Sequence, residues 1–367
     1  MIYGYVWYEL AVVTGLPKPF MVLITILYWT ISFFFPIGSF LTRRFWPVLP
    51  VWATTIMYSW IAFIGLLLVF LGPLDVIRIM SSWIWGNNFL TTIFFQRIHV
   101  SIALLIASII IVYGFIKGRQ DPVLEKINVE ITKLGRGFDT FKIVQISDLH
   151  LGGSIPRDTL KDVVEKINQA KPDVVAITGD LIEGHFESNR EMLNPILDIK
   201  TKYGIYFVTG NHDYLMDHEK WLAYLTSIGI TVLRNERMLL DCNGDHLEIA
   251  GVDDTFGDFF PGHGPQIDQA LSGRDETIPL VLLAHRPSMI HDAVKYGVDL
   301  QLSGHTHGGQ IWPFHYLVRL LETPYLNGLY KYNSSSHLYV SRGTGYWGPP
   351  MRFPSSREIS LINLICA

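Results

Sequence analysis

The stretch Phe141–Leu151, FKIVQISDLHL, decides how the second half of this 367-residue chain is read. A short, mainly apolar run, Phe141–Ser147, leads straight into Asp148 and His150, a carboxylate and an imidazole two positions apart. A run of this length reads as a buried strand, and in an extended tip residues i and i+2 point the same way. The device returns four times downstream. Asp173–Thr178 ends at Gly179-Asp180, Ile205–Thr209 at Gly210-Asn211-His212-Asp213, Pro279–Leu283 at Ala284-His285, and Leu300–Ser303 at Gly304-His305-Thr306-His307.

Helical patterns lie between these strands. Arg157–Ala170 places Leu160, Val163, Val164 and Ile167 at i, i+3, i+4 and i+7, and Ser288–Tyr296 also reads as helix. Alternating strands and helices build sheets with helices on the outer faces, and ligands bind beyond the carboxyl ends of the strands. Between Ile230 and Val252, and between Leu338 and Leu364, strands follow one another without helices, which predicts a second, partly antiparallel sheet. The expectation is an α/β fold of two facing sheets covered by helices, with the five polar tips along one rim.

Those tips offer two Asp, one Asn and four His as metal ligands, and one further His. Carboxylate, amide oxygen and imidazole suit manganese, iron or zinc and not calcium or copper(I); manganese is the favoured expectation. Two cations about 3.5–4 Å apart lower the pKa of a shared water and neutralise phosphate oxygens. His212, held by Asp213, is the expected proton donor to the leaving group. Singly, each cluster has a plain explanation: Gly-Asp makes turns, and Asn and Asp start helices. Five such clusters in order, each after a buried strand, do not. Arg286, Arg342 and Arg352 lie in or near these segments and suit bidentate grip on phosphate.

The series ISDLHLG, TGDLIEG, TGNHDY, LLAHRP and SGHTHGGQ resembles the calcineurin-like metallophosphoesterase family. With VLRNE (232–236), IAGVDD (249–254) and SRGTGYWGPPMRF (341–353), it resembles the membrane-attached bacterial branch over about residues 120–367. The resemblance implies a four-layer α/β/β/α sandwich. It also implies one metal on Asp148, His150, Asp180 and His307 and a second on Asp180, Asn211, His285 and His305. His212 takes the place of the catalytic histidine, with Asp213 as its partner. Ser356-Arg357-Glu358-Ile359 departs from the Pro-Glu-Ile that relatives often show, away from the chemistry.

The first third of the chain has another character. Residues 1–120 hold seven Lys/Arg and two Asp/Glu, and twelve of the thirteen His come later. Phe20–Leu41, Val51–Leu74 and His99–Ile116 are apolar runs near the 20 or so residues that a spanning helix needs. Arg43, Arg44, Arg78, Arg97, Lys117 and Arg119 flank them as interfacial anchors. Ser81–Phe95 and Met1–Leu16 read as interfacial stretches. A membrane region over 1–118 with about three spans and a catalytic domain over 119–367 are expected. The distribution of Lys and Arg leans towards a multi-pass cell-membrane protein with its catalytic domain in the cytoplasm.

The acidic second half argues against nucleic acid as a partner. Cys242 and Cys366 form no metal-binding pair, so the metals must sit on nitrogen and oxygen. Phe256, Phe259, Phe260 and Pro261 crowd one loop, and IWPFHYLVRLL (311–321) directly follows the His-X-His tip. They predict a greasy approach to the metals and hence a lipid-linked phosphodiester or pyrophosphate. The resembled family includes enzymes that cleave the pyrophosphate of a UDP-diacylglucosamine intermediate, which makes that type of compound the expected example. Phosphoprotein or cyclic-nucleotide hydrolysis is the alternative among enzymes, and a membrane transporter or channel with a nucleotide-sensing domain is the alternative of another class.

Overall fold

The computed structural model describes residues 1–44, 51–85, 92–156 and 158–367. It divides into two compact units, Met1–Lys117 with Gly348–Met351, and Gly118–Trp347 with Arg352–Ala367.

The first unit is helical: α1 (Ile2–Trp7), α2 (Lys18–Arg44), α3 (Val51–Trp85) and α4 (Ile93–Arg119). Among the described residues, two helical stretches, Val51–Ile84 and Ile93–Arg119, are long and apolar enough to cross a bilayer. The expected span Phe20–Leu41 lies within α2. Its described apolar part is Lys18–Phe33, and the side chains of Arg43 and Arg44 lie outside the described residues. The expected end at Leu74 is corrected, because α3 runs through Pro73 to Trp85. Apolar residues continue on the far side (Val76, Ile77, Ile79, Met80), and Asp75 is met by the Tyr5 hydroxyl and by Arg78 at 3.3 Å, so neither residue ends the helix. The expected interfacial stretch Ser81–Phe95 is divided between α3 and α4, and its residues 86–91 lie outside the described residues, as does Arg157.

Among its described residues the second unit has twelve strands: β1 (Val123–Ile131), β2 (Phe141–Ile146), β3 (Val174–Thr178), β4 (Ile205–Val208), β5 (Thr231–Val232), β6 (Glu236–Cys242), β7 (Asp245–Gly251), β8 (Leu280–Leu283), β9 (Leu300–Ser303), β10 (Gly328–Lys331), β11 (His337–Val340) and β12 (Glu358–Cys366). They form two six-stranded sheets, ordered β1-β12-β2-β3-β4-β5 and β10-β11-β9-β8-β7-β6. β2, β3, β4 and β5 are parallel neighbours, as are β7, β8, β9 and β11. The late strands therefore do not form one sheet together: β5 and β12 join the first, while β6, β7 and β11 join the second.

Period-two alternation explains the layers. Ile143, Val174, Ala176, Tyr206 and Val208 of the first sheet meet Ile249, Val281, Leu283, Leu300, Leu302 and Tyr339 of the second in one inter-sheet core. Their neighbours Val144, Ile146, Val175, Ile177 and Phe207 face outward onto Leu160, Val163, Val164 and Ile167 of α5 (Thr159–Ala170) and onto the helix His218–Ser227. Ala250, Leu280 and Leu282 pack on Ala270, Leu271 and Ala293 on the opposite side. The result is the expected α/β/β/α sandwich. Near the rim a buried amide joins the sheets: Gln145 Nε2 donates to Thr178 Oγ1 at 2.8 Å and to the Ser303 carbonyl at 2.9 Å.

Candidate metal centre

All five expected tips follow carboxyl ends of parallel strands, β2, β3, β4, β8 and β9. The tips are not extended, which corrects the expectation that alternation alone would align Asp148 with His150. Asp148, His150, Asp180, His305 and His307 all have positive φ, between 51° and 70°. Such a conformation in a residue other than glycine costs on the order of 1–3 kcal/mol, and five instances on one rim mark it as a place where stability is given up for position. Hydrogen bonds between tips hold them there. Asp148 N–H donates to Gly179 O at 3.0 Å, His150 N–H to Asp180 O at 3.0 Å, and His305 N–H to the Asp148 carboxylate at 3.0 Å. At Gly304 a Cβ would collide with Ser147 Oγ and the Asp148 carboxylate, so only glycine lets the β2 and β9 tips approach this closely.

Three overlapping groups of donor atoms result, each within 4.8 Å: Asp148-His150-His307, His150-Asp180-His212 and Asp148-Asp180-His285. His307 Nε2 is 3.3 Å from Asp148 Oδ1 and 3.1 Å from His150 Nε2, while His285 Nε2 is 3.3 Å from Asp180 Oδ2. Two imidazole nitrogens at that spacing suit a single ion with bonds of about 2.0–2.1 Å. Asn211 Oδ1 and His285 Nε2 are buried without a hydrogen-bond partner, a cost that coordination removes. The His285 ring is already oriented, its Nδ1 2.8 Å from Thr178 O, as a metal-ligating histidine requires.

Charge points the same way. Burial pushes His285 down, yet the charge of Asp180, with Asp148 and Asp254 behind it, lifts it to about 10. Burial likewise opposes protonation of His150, and Glu183, Asp180 and Asp148 outweigh it. A field that draws protons onto buried imidazoles is one that favours a cation. The residues present therefore fit a dinuclear site for divalent ions.

His305 stands slightly apart. Its ring meets His285 edge-on at 5.0 Å, and its Nε2 lies 3.1 Å from Arg286 Nη1 and 3.3 Å from Glu322 Oε2.

Asp213 is corrected as the partner of His212. Its carboxylate accepts backbone N–H from Gly210 at 2.7 Å, Asp180 at 2.8 Å and Leu181 at 3.0 Å, binding the β3 and β4 tips together. These three bonds occupy both of its oxygens. The group beside His212 is Glu183, with Oε1 3.0 Å from His212 Nδ1, off the line of an ideal hydrogen bond, and 2.9 Å from His150 Nδ1. Burial would raise the Glu183 carboxyl, but the two imidazoles hold it at about 2. Sequence reasoning missed Glu183. Its signal was the acid three residues after Asp180 in TGDLIEG. Glu183→Gln should retain the fold and lower kcat roughly 10–100-fold, the usual effect of removing a group that orients a ligand; steady-state kinetics beside metal analysis checks it.

Arg342 and Arg352 are corrected as phosphate grips. Arg352 is wholly buried and donates to the carbonyls of His307, Arg342, Gly343 and Gly345. Arg342 is held between Glu358 and Glu125. Both fix the β11–β12 crossover, which also bonds Thr344 N–H to Ser147 O at 2.7 Å and Gly345 N–H to Asp148 O at 3.0 Å. The other motifs serve loops as well: Arg234 of VLRNE pairs with Asp253 at 2.8 Å, and Asp254 with Arg286 at 3.0 Å.

A layered α/β sandwich with a His/Asp rim of this kind defines a metal-dependent phosphoesterase domain, and the chain belongs to the calcineurin-like phosphoesterase family, whose model matches residues 141–309. It is 38% identical over 253 residues to a metallophosphoesterase of Helicobacter pylori (strain J99), covering 69% of this chain and 66% of that protein. It is 36% identical over 271 residues to a transmembrane protein with metallophosphoesterase domain of Danio rerio, covering 72% and 62%. A metallophosphoesterase of Aquifex aeolicus is 32% identical over 243 residues, covering 66% and 91%. The chain thus spans about two thirds of the length of the first two. Relatives occur in bacteria and animals, which widens the expected bacterial branch.

Proposed function

We propose that this protein is a membrane-bound phosphoesterase that hydrolyses a phosphodiester or pyrophosphate bond at two divalent ions. One ion is held by Asp148, His150, Asp180 and His307; the other by Asp180, Asn211 and His285, with His305 beside them. The observation that carries the reading is the overlap of the donor groups: Asp148 and Asp180 each belong to two of them, as a shared dinuclear site requires. When bound, such ions polarise phosphoryl oxygens and lower the pKa of a water. His212, beside His150 and steadied by Glu183, gives a proton to the departing oxygen. Gly210 and Asp213 keep that tip in place. Trp347, 5.7 Å from the His212 ring, covers one side of it.

A lipid-linked substrate, such as a UDP-diacylglucosamine-type compound, is the reading that the apolar surface supports. The helix Phe314–Leu321 buries none of its residues; Leu320 is 80% and Leu321 69% exposed. Of the aromatic loop, Phe259 is exposed, whereas Phe260 stacks on Tyr214 and belongs to local packing. The test is a substrate panel (phospholipid, lipid-linked sugar nucleotide, cyclic nucleotide, phosphoprotein) given to detergent-purified protein with manganese, with His212→Ala as the blank. The expected result is fastest turnover of a lipid-linked phosphate. Leu320→Gln with Leu321→Gln should cut that rate roughly tenfold or more, since tenfold is about the low end of what burying one apolar side chain contributes, and leave a water-soluble phosphodiester unaffected. Equal losses on both substrates would remove the lipid reading and keep the phosphoesterase.

A further inference from the structure

Of the three arginines near the motifs, two are consumed by the scaffold. The third, Arg286, is adjacent in sequence to His285 and is partly exposed. Its Nε is fixed by the buried carboxylate of Asp254 at 3.0 Å. Its Nη1 reaches His305 Nε2 at 3.1 Å, and on the same side lies the carboxylate of Glu322, 3.2 Å from Nη1 and 3.3 Å from His305 Nε2. A carboxylate therefore already touches both the guanidinium and an imidazole of the metal rim.

The two carboxylates around Arg286 differ in kind. Asp254 is buried and also accepts the Phe256 N–H at 2.8 Å. Glu322 is half-exposed and follows the end of the helix Phe314–Leu321, which has no residue in the core. Asp254 aims the guanidinium, whereas Glu322 can leave with little lost packing. Arginine presents a planar fork that matches phosphate, so a phosphate oxygen can take the Glu322 position without moving the arginine.

We propose that Arg286 is a phosphate-binding residue of this site, and that Glu322 is an internal carboxylate that occupies its anion position until substrate phosphate displaces it. This rests on the phosphoesterase reading above. The geometry makes Glu322 a competitor of substrate and Asp254 a positioning residue for Arg286.

The test is equilibrium binding of inorganic phosphate to the full-length, manganese-loaded protein by titration calorimetry, which requires no turnover. Glu322→Gln should bind phosphate roughly tenfold more tightly, the scale of one charge-assisted hydrogen bond. Arg286→Lys and Arg286→Gln should weaken it by a similar factor or more. In the Arg286→Gln background Glu322→Gln should have no further effect, since the competed group is gone. With a soluble phosphodiester the Glu322→Gln change should appear in KM and not kcat. Metal content and thermal unfolding report whether each variant is intact, and Glu322→Gln with Arg286→Lys suffices if Arg286→Gln does not fold. Unchanged or weaker phosphate binding in intact Glu322→Gln, or additive effects in the double variant, would overturn the proposal. Phosphate binding as described without hydrolysis of any ester would instead overturn the phosphoesterase reading.

Discussion

Asp180→Ala should release both divalent ions and lower hydrolysis by roughly 10⁴-fold or more, because metals that would lower the pKa of a bound water towards neutrality are lost with their proposed shared ligand. Asp180 has the most central position on the rim. Its Oδ2 lies 3.3 Å from His285 Nε2 and 3.7 Å from His150 Nε2, and its Oδ1 accepts the His212 backbone N–H at 2.8 Å. Deleting the carboxylate removes negative charge from both halves of the site and releases the His212 tip. Asp180→Asn separates the two effects: the amide oxygen can still accept from His212 N–H, but the charge is gone. Metal content by mass spectrometry should fall in both variants, while thermal unfolding without added metal should fall chiefly in Asp180→Ala. Two tightly held ions in Asp180→Asn would show that the carboxylate is not shared.

His212→Ala should behave differently. It should keep two ions and lower kcat by roughly 10²–10⁴-fold, the range for loss of a general acid. The loss should shrink with substrates whose leaving group departs without a proton, such as nitrophenyl esters. His212 is suited to that role because its Nδ1 lies beside Glu183 and its ring sits at the edge of the donor groups, 4.8 Å from the His150 ring. Comparing kcat for an alkyl and a nitrophenyl ester in the same preparation measures it. Equal losses on both esters would mean that His212 holds metal or structure and does not move a proton.

Much of this centre was legible because its residues follow strands in order. A buried strand declares itself by a short apolar run, and the polar residue at its carboxyl end is conspicuous: Asp148, Asp180, Asn211, His285 and His305 were found that way. What the tips do locally was not legible. Positive φ at Asp148 and His150 comes from hydrogen bonds to Gly179 and Asp180, on a different strand, and no periodicity reports on it. Arg352 misled for a related reason. Arginine is almost never fully buried unless paired, so its sequence position beside the motifs read as a surface grip, whereas four carbonyls brought together by the crossover enclose it. Glu183 was hidden because a single acid after Asp180 has no partner nearby in sequence; both of its imidazoles arrive from other tips. The two sheets were foreseen as layers, but their membership was not, since β12 pairs with β1 and β2 across more than 200 residues.

The proposal that two ions would share Asp180 is the centre of this account, and electron paramagnetic resonance of the manganese-loaded full-length protein tests it most directly. Titration should saturate at two ions per chain and give the signal of an exchange-coupled pair, which Asp180→Asn should abolish together with the second equivalent of metal. Saturation at one ion per chain, or two ions without coupling in the unaltered protein, would contradict it.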